Sequence, residues 1–339
     1  MNGKELFQAM AKGEKPSRIP FVPTIFEHSA KIISATPSMI AQDEDLLVKS
    51  QLACYELYGH DLISVGVDIY NLEYEAMGAR VFFPDNEELP FTVDVLVQKP
   101  EDLEKLCIPD PEKDGRMPMF LRAVERINKE IGGHVPVNGT VVGPFTLAAI
   151  LRGFENFIMD IIYEPEFADA LMDFARKVGL RFAEGFIRRG VGLSINESWI
   201  APPLLSPSLY GGQVMEHEKR LIGDIRKAGQ KNVALISGGD TTAIVGEMVK
   251  TGTSLLLADS GCDRLKYKEI CRKNNVLMRA SISPKTVELG DEAGMLEETG
   301  QVVEDCRDYY GFIFGCGIVS YDTPPEHVIR LKGILGDMQ

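Results

Sequence analysis

A cysteine between two glycines lies near the C-terminal end of the sequence, in GFIFGCGIVSYDTPPEHV at residues 311–328. The apolar residues Phe312 to Phe314 lead almost directly into this thiol, Cys316. A free cysteine is often an inert core residue. A thiolate, however, binds metals and attacks electrophiles, and flanking glycines let backbone or ligand approach it closely. Cys316 is therefore a candidate for chemistry, and metal binding is the first chemistry to consider.

Polar side chains also follow other short apolar runs. They include carboxylates, an amide, a histidine, a hydroxyl and a second thiol: His28, Asp68, Asn138, Glu197, Asp240, Asp259, Cys262 and Ser281. Some of them are expected to cap helices, and Asp240 in front of Thr-Thr-Ala-Ile-Val is a good example. A polar residue at the end of every run is more than capping requires, so a site formed by these ends is predicted.

The runs themselves have the composition of buried strands. Eight of them, rich in β-branched residues, lie at 19–26, 61–68, 135–142, 192–199, 232–239, 253–260, 275–283 and 311–318. Segments with apolar residues at helical spacing separate them, including 39–58, 165–189, 206–228 and 325–337. This alternation predicts an α/β protein with a parallel sheet covered by helices, and eight units favour a closed (β/α)8 TIM barrel. A doubly wound open sheet is the alternative, but no glycine-rich phosphate loop follows an early strand.

The spacing of the runs also predicts the domain organisation. We expect one barrel domain over residues 1–339, because this length suits a large barrel and no repeat or low-complexity segment divides it. The longest interval, at about 69–134, contains turn-rich stretches such as FPDNEELP. It is predicted to be an insertion after the second strand.

Composition limits the partners and the compartment. The formal net charge of −14 argues against nucleic acid as a partner. No apolar stretch reaches the length of about 18 residues that a membrane span needs. The six cysteines show no paired spacing, and the first residues form no apolar signal segment. A cytoplasmic protein with free thiols is therefore expected.

Five segments give the chain a family resemblance: VDIYNLEYEAMGARVFF (67–83), NGTVVGPFTLAAIL (138–151), NESWIAPPLLSPSLY (196–210), SGGDTT (237–242) and GCGIVSYDTPPEHV (315–328). Over nearly its whole length the chain resembles the uroporphyrinogen decarboxylase superfamily, whose members are (β/α)8 barrels and include corrinoid-dependent methyltransferases. The resemblance implies the same barrel and a homodimer. True decarboxylases carry Arg-Gln-Ala-Gly-Arg after the first strand to hold the porphyrinogen carboxylates, whereas this chain reads FVPTIFEHSAKII. Porphyrinogen decarboxylation is therefore the less favoured function.

The Gly-Cys-Gly segment is similar to that of the methyltransferase branch. In its thiol-activating members, a His-x-Cys pair on the fifth strand joins this cysteine to bind zinc. Aligned on SGGDTT, those two positions are Ile236 and Gly238 here. Relatives that cleave aryl methyl ethers use other ligand sets. A similar zinc site is expected here, with Asp240, Asp259, Cys262 and Cys316 as its ligands.

The resemblance implies a methyltransferase that moves a methyl group from a small methoxylated compound, of aromatic type, to a separate corrinoid protein. The chain lacks the Asp-x-His-x-x-Gly signature of corrinoid-binding domains, so the corrinoid is expected on a partner. Breaking the ether requires a metal or an acid at its oxygen. Asp68 and Glu197 are the candidate acid or orienting groups. Residues predicted to contact substrate are His28, Tyr70, Asn138, Phe145, Trp199 and Ser281.

Two further functions stay open from the sequence. One is a methyltransferase that passes the methyl group from a methylated corrinoid to a thiol or a pterin, with a rearranged metal site. The other is a barrel that has lost catalysis and binds a ligand. Loss of the usual metal ligands at Ile236 and Gly238 fits a barrel without catalysis, whereas the retained polar strand ends argue against it.

Overall fold

A computed structural model describes the whole chain, residues 1–339. Its nine strands are β1 (Ile63–Ser64), β2 (Val81–Phe82), β3 (Phe91–Thr92), β4 (Val137–Val142), β5 (Gly192–Asn196), β6 (Val233–Ile236), β7 (Leu255–Ala258), β8 (Leu277–Ile282) and β9 (Phe312–Cys316). Seven of them form one parallel sheet in the order β1-β4-β5-β6-β7-β8-β9. Strands β2 and β3 form a separate antiparallel pair.

Residues 20–24 close the sheet into a barrel. Phe21 and Thr24 form parallel bridges with Phe314 and Ile318 on the β9 side. On the β1 side, the backbone N–H of Asp61 donates to the carbonyl of Phe21 at 2.9 Å. This first barrel segment is irregular because Pro20 and Pro23 supply no N–H to a ladder. The predicted TIM barrel is confirmed, with all eight predicted runs contributing to its wall.

The helices are α1 (Gly3–Ala11), α2 (His28–Ile32), α3 (Pro37–Gln42), α4 (Glu44–Tyr58), α5 (Leu72–Ala76), α6 (Met117–Ile131), α7 (Pro144–Arg152), α8 (Phe154–Tyr163), α9 (Pro165–Arg188), α10 (Pro207–Leu209), α11 (Met215–Lys227), α12 (Val245–Met248), α13 (Arg264–Asn274), α14 (Pro284–Glu288), α15 (Glu292–Cys306) and α16 (Pro325–Asp337). Short 3-10 turns occur at Pro100–Lys105 and Val249–Thr251, and a π turn at Tyr210–Val214.

Two of the predicted helices are divided in the structure. The segment 39–58 is broken at Asp43, whose side chain accepts a hydrogen bond from the N–H of Leu46 and so starts a new helix, α4. The segment 206–228 begins at Ser206, the N-cap of α10, and passes through the π turn before α11. None of the helices combines the length and apolar character that crossing a bilayer requires.

The interval at 69–134 contains several elements. It begins with α5, continues through the β2–β3 pair and the 3-10 turn, and ends with α6. Helix α6 packs against α4 and β4, as a barrel helix between two neighbouring strands does.

The main hydrophobic core lies between the strands and the helices. Alternate strand residues face this core, and the residues between them face the barrel axis. On β9, Phe312, Phe314 and Cys316 belong to the core, whereas Ile313 lines the barrel interior. Both faces of such a strand are buried, which explains its continuous apolar sequence.

Candidate functional site

A cavity of about 370 Å³ lies inside the barrel. Its wall consists of every second residue along the strands, as Ala234, Ile236 and Gly238 on and after β6 illustrate. Polar side chains are concentrated on the side formed by β1, β4 and β5, and they are Ser64, Asn138, Ser194, Asn196 and Ser198. The cavity therefore has one side rich in hydrogen-bonding groups and a largely apolar side that also carries Asp259 and Arg279.

Two hydroxyl groups meet where the cavity approaches the C-terminal ends of the strands. Tyr70 follows β1, Ser198 follows β5, and their hydroxyl oxygens form a short hydrogen bond. Burial raises the pKa of Tyr70 above its usual value. Tyr70 therefore keeps its proton at neutral pH and is able to donate it inside the cavity.

Arg279 enters the cavity from the opposite side. It lies on β8, in register with Leu257 of β7 and Ile313 of β9, which also line the cavity. Only 7% of its surface is exposed, and its Nε has no hydrogen-bond partner. Burial lowers the pKa of the guanidinium below its usual value, and electrostatic interaction with Cys316 and Asp259 partly offsets this effect. An arginine nevertheless remains charged in proteins.

Three of the residues predicted from the sequence line the cavity: Tyr70, Asn138 and Asp259. The two carboxylate oxygens of Asp259 accept hydrogen bonds from the N–H groups of Gly239 and Ser260, each at 2.9 Å. These bonds fix the carboxylate beside the apolar wall. The side chain of Asn138 faces the cavity from β4.

Asp68 lies beside the barrel in an ion pair. Its two oxygens accept hydrogen bonds from Arg116 at 3.0 and 2.6 Å. The guanidinium also donates to Glu75 at 2.7 Å and stacks over the ring of Phe83. This salt bridge with Arg116 holds the segment after β1 in place, and Asp68 does not line the cavity.

Glu197 is fully buried beneath the N-terminus of α7. It accepts hydrogen bonds from the N–H groups of Phe145 and Thr146, at 3.0 and 2.9 Å, and from the Thr146 hydroxyl at 2.6 Å. Gly143, the N-cap residue of α7, leaves room for it, because a Cβ there would lie 2.1 Å from the Glu197 carboxyl carbon. Burial raises the pKa of Glu197 to about 7. Its role in the structure is to cap the helix.

The remaining predicted substrate contacts lie outside the cavity lining. His28 is buried between Ser320, whose carbonyl contacts Nδ1 at 3.0 Å, and the Tyr58 hydroxyl, 2.6 Å from Nε2. Burial lowers its pKa to about 4, so it is neutral at pH 7. Phe145 packs on Phe157, Trp199 packs edge-on against Phe154, and Ser281 is fully buried without a hydrogen-bond partner.

Two of the predicted metal ligands, Asp240 and Cys262, lie close to each other, whereas Cys316 lies on the core face of β9. Cys262 contacts the carbonyl of Gly239 at 3.4 Å, and Asp240 accepts from the N–H of Thr242 at 3.0 Å. Cys316 faces the hydrophobic core, and burial raises its pKa to about 12.

The predicted zinc set therefore does not assemble. No group of three or more His, Cys, Asp or Glu side chains in the chain lies close enough together to hold a metal ion. Cys316 and Asp259 lie on different faces of the barrel wall, because Cys316 faces the core on β9 whereas Asp259 faces the cavity on the β7 side. These residues do not fit a structural or catalytic zinc site, which needs at least three converging protein ligands.

Comparison with protein families identifies the chain. The model of the uroporphyrinogen decarboxylase (URO-D) family matches residues 2–333. The chain belongs to this family. The resemblance predicted from the five sequence segments is thereby confirmed.

Similar curated proteins carry two kinds of name. One is the methylcobamide:CoM methyltransferase MtbA of Methanosarcina acetivorans, 23% identical over 281 residues, which covers 82% of this chain and 80% of that protein. Another is the uroporphyrinogen decarboxylase of Geobacter metallireducens, 24% identical over 308 residues and covering 85% of this chain and 88% of that protein. Corrinoid-dependent methyltransferases are thus among the relatives, as predicted.

A solved structure supports the fold. A methyltransferase from Methanosarcina mazei superimposes with a TM-score of 0.87 at 22% sequence identity, over 100% of this chain and 99% of that one. This agreement over the whole length supports the barrel assignment.

Sequence reasoning missed Arg279, Ser64 and Ser194, all of which line the cavity. The missed signal for Arg279 was its position inside the predicted run 275–283. A charge within a strand that is buried on both faces must be paired or must point into a cavity. The two serines gave no such signal, because small hydroxyls are common on either face of a strand.

Proposed function

We propose that the protein transfers a methyl group from a small methoxylated aromatic compound to the cobalt of a separate corrinoid protein. The observation that carries this proposal is the cavity wall at Ile236 and Gly238. In thiol-activating relatives these positions are expected to hold the His and Cys ligands of zinc. Here one is an apolar side chain and the other has none, so no thiol is activated at this wall.

The opposite wall supplies the group that ether cleavage needs. With the Ser198 hydroxyl donating to the Tyr70 oxygen, the Tyr70 proton is free to point at a substrate. A methoxylated ring packed against Ile236 and Leu257 would share the cavity with this hydroxyl. The cavity is thus suited to a small, flat and partly apolar molecule.

The proposed reaction balances with Tyr70 as the acid. The methyl group leaves the ether for a reduced cobalt centre on the partner, and the electron pair of the C–O bond stays on oxygen. Tyr70 gives its proton to that oxygen, so a phenol departs instead of a phenoxide. Free tyrosine and phenol both have a pKa of about 10, and burial raises the pKa of Tyr70 above that value. Tyr70 therefore holds its proton until negative charge develops on the departing oxygen, which then takes it. Solvent then returns a proton to Tyr70.

Methyl transfer from a panel of methoxybenzenes to a Co(I) corrinoid protein tests the proposal. The wild-type protein is expected to produce the absorption of methylated cobalt with at least one donor. Tyr70→Phe removes the proton and is expected to lower the rate about 100-fold or more, with little change in donor binding, because general acids contribute roughly 100- to 10,000-fold. Tyr163→Phe is the matched control, since this tyrosine is 68% exposed.

The second candidate is transfer from a methylated corrinoid to a thiol, which the name of the MtbA relative favours. The same preparation decides between the two functions. If a thiol demethylates methylcobalamin while no methoxybenzene methylates cobalt, the first proposal is wrong. If Tyr70→Phe transfers methyl groups at the wild-type rate, the assignment of the acid is wrong.

A further inference from the structure

Arg279 is a buried cation without a partner in the chain. Its Nε lacks a hydrogen bond, and Asp259 and Cys316 affect it only through longer-range electrostatic interaction. Both oxygens of Asp259 are directed to backbone N–H groups. A buried charge without a partner costs several kcal/mol. A fold that contains such a charge at a cavity wall is well suited to bind an anion there.

The side chain extends along the cavity. Arg279 is in register with Ile313, and its Cδ lies 3.4 Å from the position that a Cβ on Gly315 would occupy, two residues further along β9. The guanidinium therefore leans toward the C-terminal ends of the strands. Gly315, which has no side chain, leaves the space that this path needs.

The two polar ends of the cavity lie across the barrel from each other. Going around the barrel, β8 is separated by three strands from β4, which places these two strands opposite one another. Tyr70 and Ser198 follow β1 and β5, the two strands that flank β4 in the sheet. A ligand that contacts both Arg279 and Tyr70 must cross the cavity between its apolar walls, Ile236 and Leu257 among them.

We propose that Arg279 binds a carboxylate on the methyl donor, so that the substrate class is a methoxylated aromatic acid. This inference rests on the proposed function for the identity of the donor. The planar guanidinium fits a carboxylate with two parallel hydrogen bonds. The ring then lies in the middle of the cavity. An ether oxygen at the ring position para or meta to the carboxylate reaches Tyr70.

Binding measured without any corrinoid protein tests whether Arg279 anchors the carboxylate of the donor. Calorimetry compares methoxybenzoates with the corresponding methoxybenzamides, which have the same shape and no charge. The wild-type protein is expected to bind the preferred acid about 10- to 100-fold more tightly than its amide, as for a charge-assisted hydrogen bond. Arg279→Gln is expected to abolish this preference, and Arg279→Lys to retain part of it. Lys285→Gln, which removes an exposed cation paired with Glu288, is the matched control.

Thermal unfolding separates a binding role from a structural one. Without ligand, Arg279→Met is expected to melt at or above the wild-type temperature, because it removes an unpaired buried charge. The acid is expected to raise the melting temperature of the wild type only. A lower melting temperature of the ligand-free variant, together with unchanged acid binding by Arg279→Gln, overturns the proposal.

The outcomes also distinguish this inference from the proposed function. Equal binding of acid and amide, or no binding of any acid at millimolar concentration, overturns the anchor even if neutral methoxybenzenes methylate cobalt. Acid binding that depends on Arg279, without methylation of cobalt, supports the anchor and contradicts the methyl transfer. Preferential binding of a sulfonated thiol such as 2-mercaptoethanesulfonate overturns the assignment to a carboxylate on the donor.

Discussion

Individual residues of this barrel have roles that depend on which way a strand side chain points. Tyr70, Asp259 and Arg279 face the cavity, whereas Cys316 faces the hydrophobic core. The glycines beside Cys316 therefore lie on the other face of β9, the one that is turned away from the core. A Cβ on Gly315 would lie 2.5 Å from the carbonyl oxygen of Val22, and one on Gly317 would lie 2.9 Å from Pro284. The glycines allow close packing of the barrel and not access to the thiol.

Replacement of Cys316 by alanine tests this orientation. The variant is expected to keep the methyl-transfer rate and the donor affinity of the wild type, because the thiol does not line the cavity. Its free energy of unfolding is expected to fall by about 1 kcal/mol, for the small cavity left in the core. Denaturant titration and the transfer assay measure the two quantities, with Cys107→Ala, at an exposed cysteine, as control. Loss of activity at unchanged stability would show that the Cys316 thiol takes part in the reaction.

At the scale of the elements, the N-terminal cap of α7 positions the hydroxyl groups of Tyr70 and Ser198. The Thr146 hydroxyl donates to Glu197 and accepts the N–H of Ser198 at 3.0 Å, and Ser198 in turn contacts Tyr70. Glu197 thus connects the start of one helix to the proposed acid without contacting the substrate. A glutamate predicted as a catalytic or orienting group is, in this arrangement, a positioning residue.

Glu197→Ala is expected to lower stability and activity together. Loss of three buried hydrogen bonds at a helix N-terminus is expected to cost about 2–4 kcal/mol of unfolding free energy. The transfer rate is expected to fall while the pH profile keeps the form set by Tyr70. Glu166→Ala removes an exposed glutamate in the first turn of α9 and is expected to cost less than about 1 kcal/mol. Equal losses from both variants would contradict the capping role.

The sequence was sufficient to predict the barrel and its eight wall segments, because parallel strands and helices differ clearly in length and composition. It placed polar residues at strand ends, but it could not show their direction. The run Phe312–Cys316 is apolar at every position except glycine, so no alternation reveals which residues face the axis. For this reason the sequence could not reveal that the four predicted zinc ligands do not converge. Arg279 was the exception, because a charged side chain in a strand buried on both faces is expected to point into the cavity and not into the hydrophobic core.

At the scale of the whole molecule, buried carboxyl groups bind protons that the unfolded chain releases. Burial raises the pKa of Glu73 to about 8, and those of Glu27 and Glu197 to about 7. A carboxyl group with a raised pKa in the folded state makes stability fall as pH increases from its unfolded to its folded pKa. Burial lowers the pKa values of His28 and His60 to about 4, so these groups make stability rise up to their unfolded value of 6.5. Between pH 6.5 and about pH 8, the buried carboxyl groups are the groups whose raised pKa values change stability.

The free energy of unfolding is therefore expected to decrease between pH 6.5 and pH 8, and Glu73 is the group with which to test this. Its Oε1 accepts the N–H of Val142 at 2.8 Å, and its Oε2 has no partner. Glutamine keeps this hydrogen bond and cannot ionise. Over this interval Glu73→Gln is expected to remove about 2 kcal/mol of the decrease, at roughly 1.4 kcal/mol for each proton and pH unit. Denaturant titrations at several pH values measure the slope, with Glu130→Gln on the exposed side of α6 as control. An identical slope in wild type and variant would mean that Glu73 is ionised in the folded protein, and its carboxylate would then need a cation that the surrounding residues do not supply.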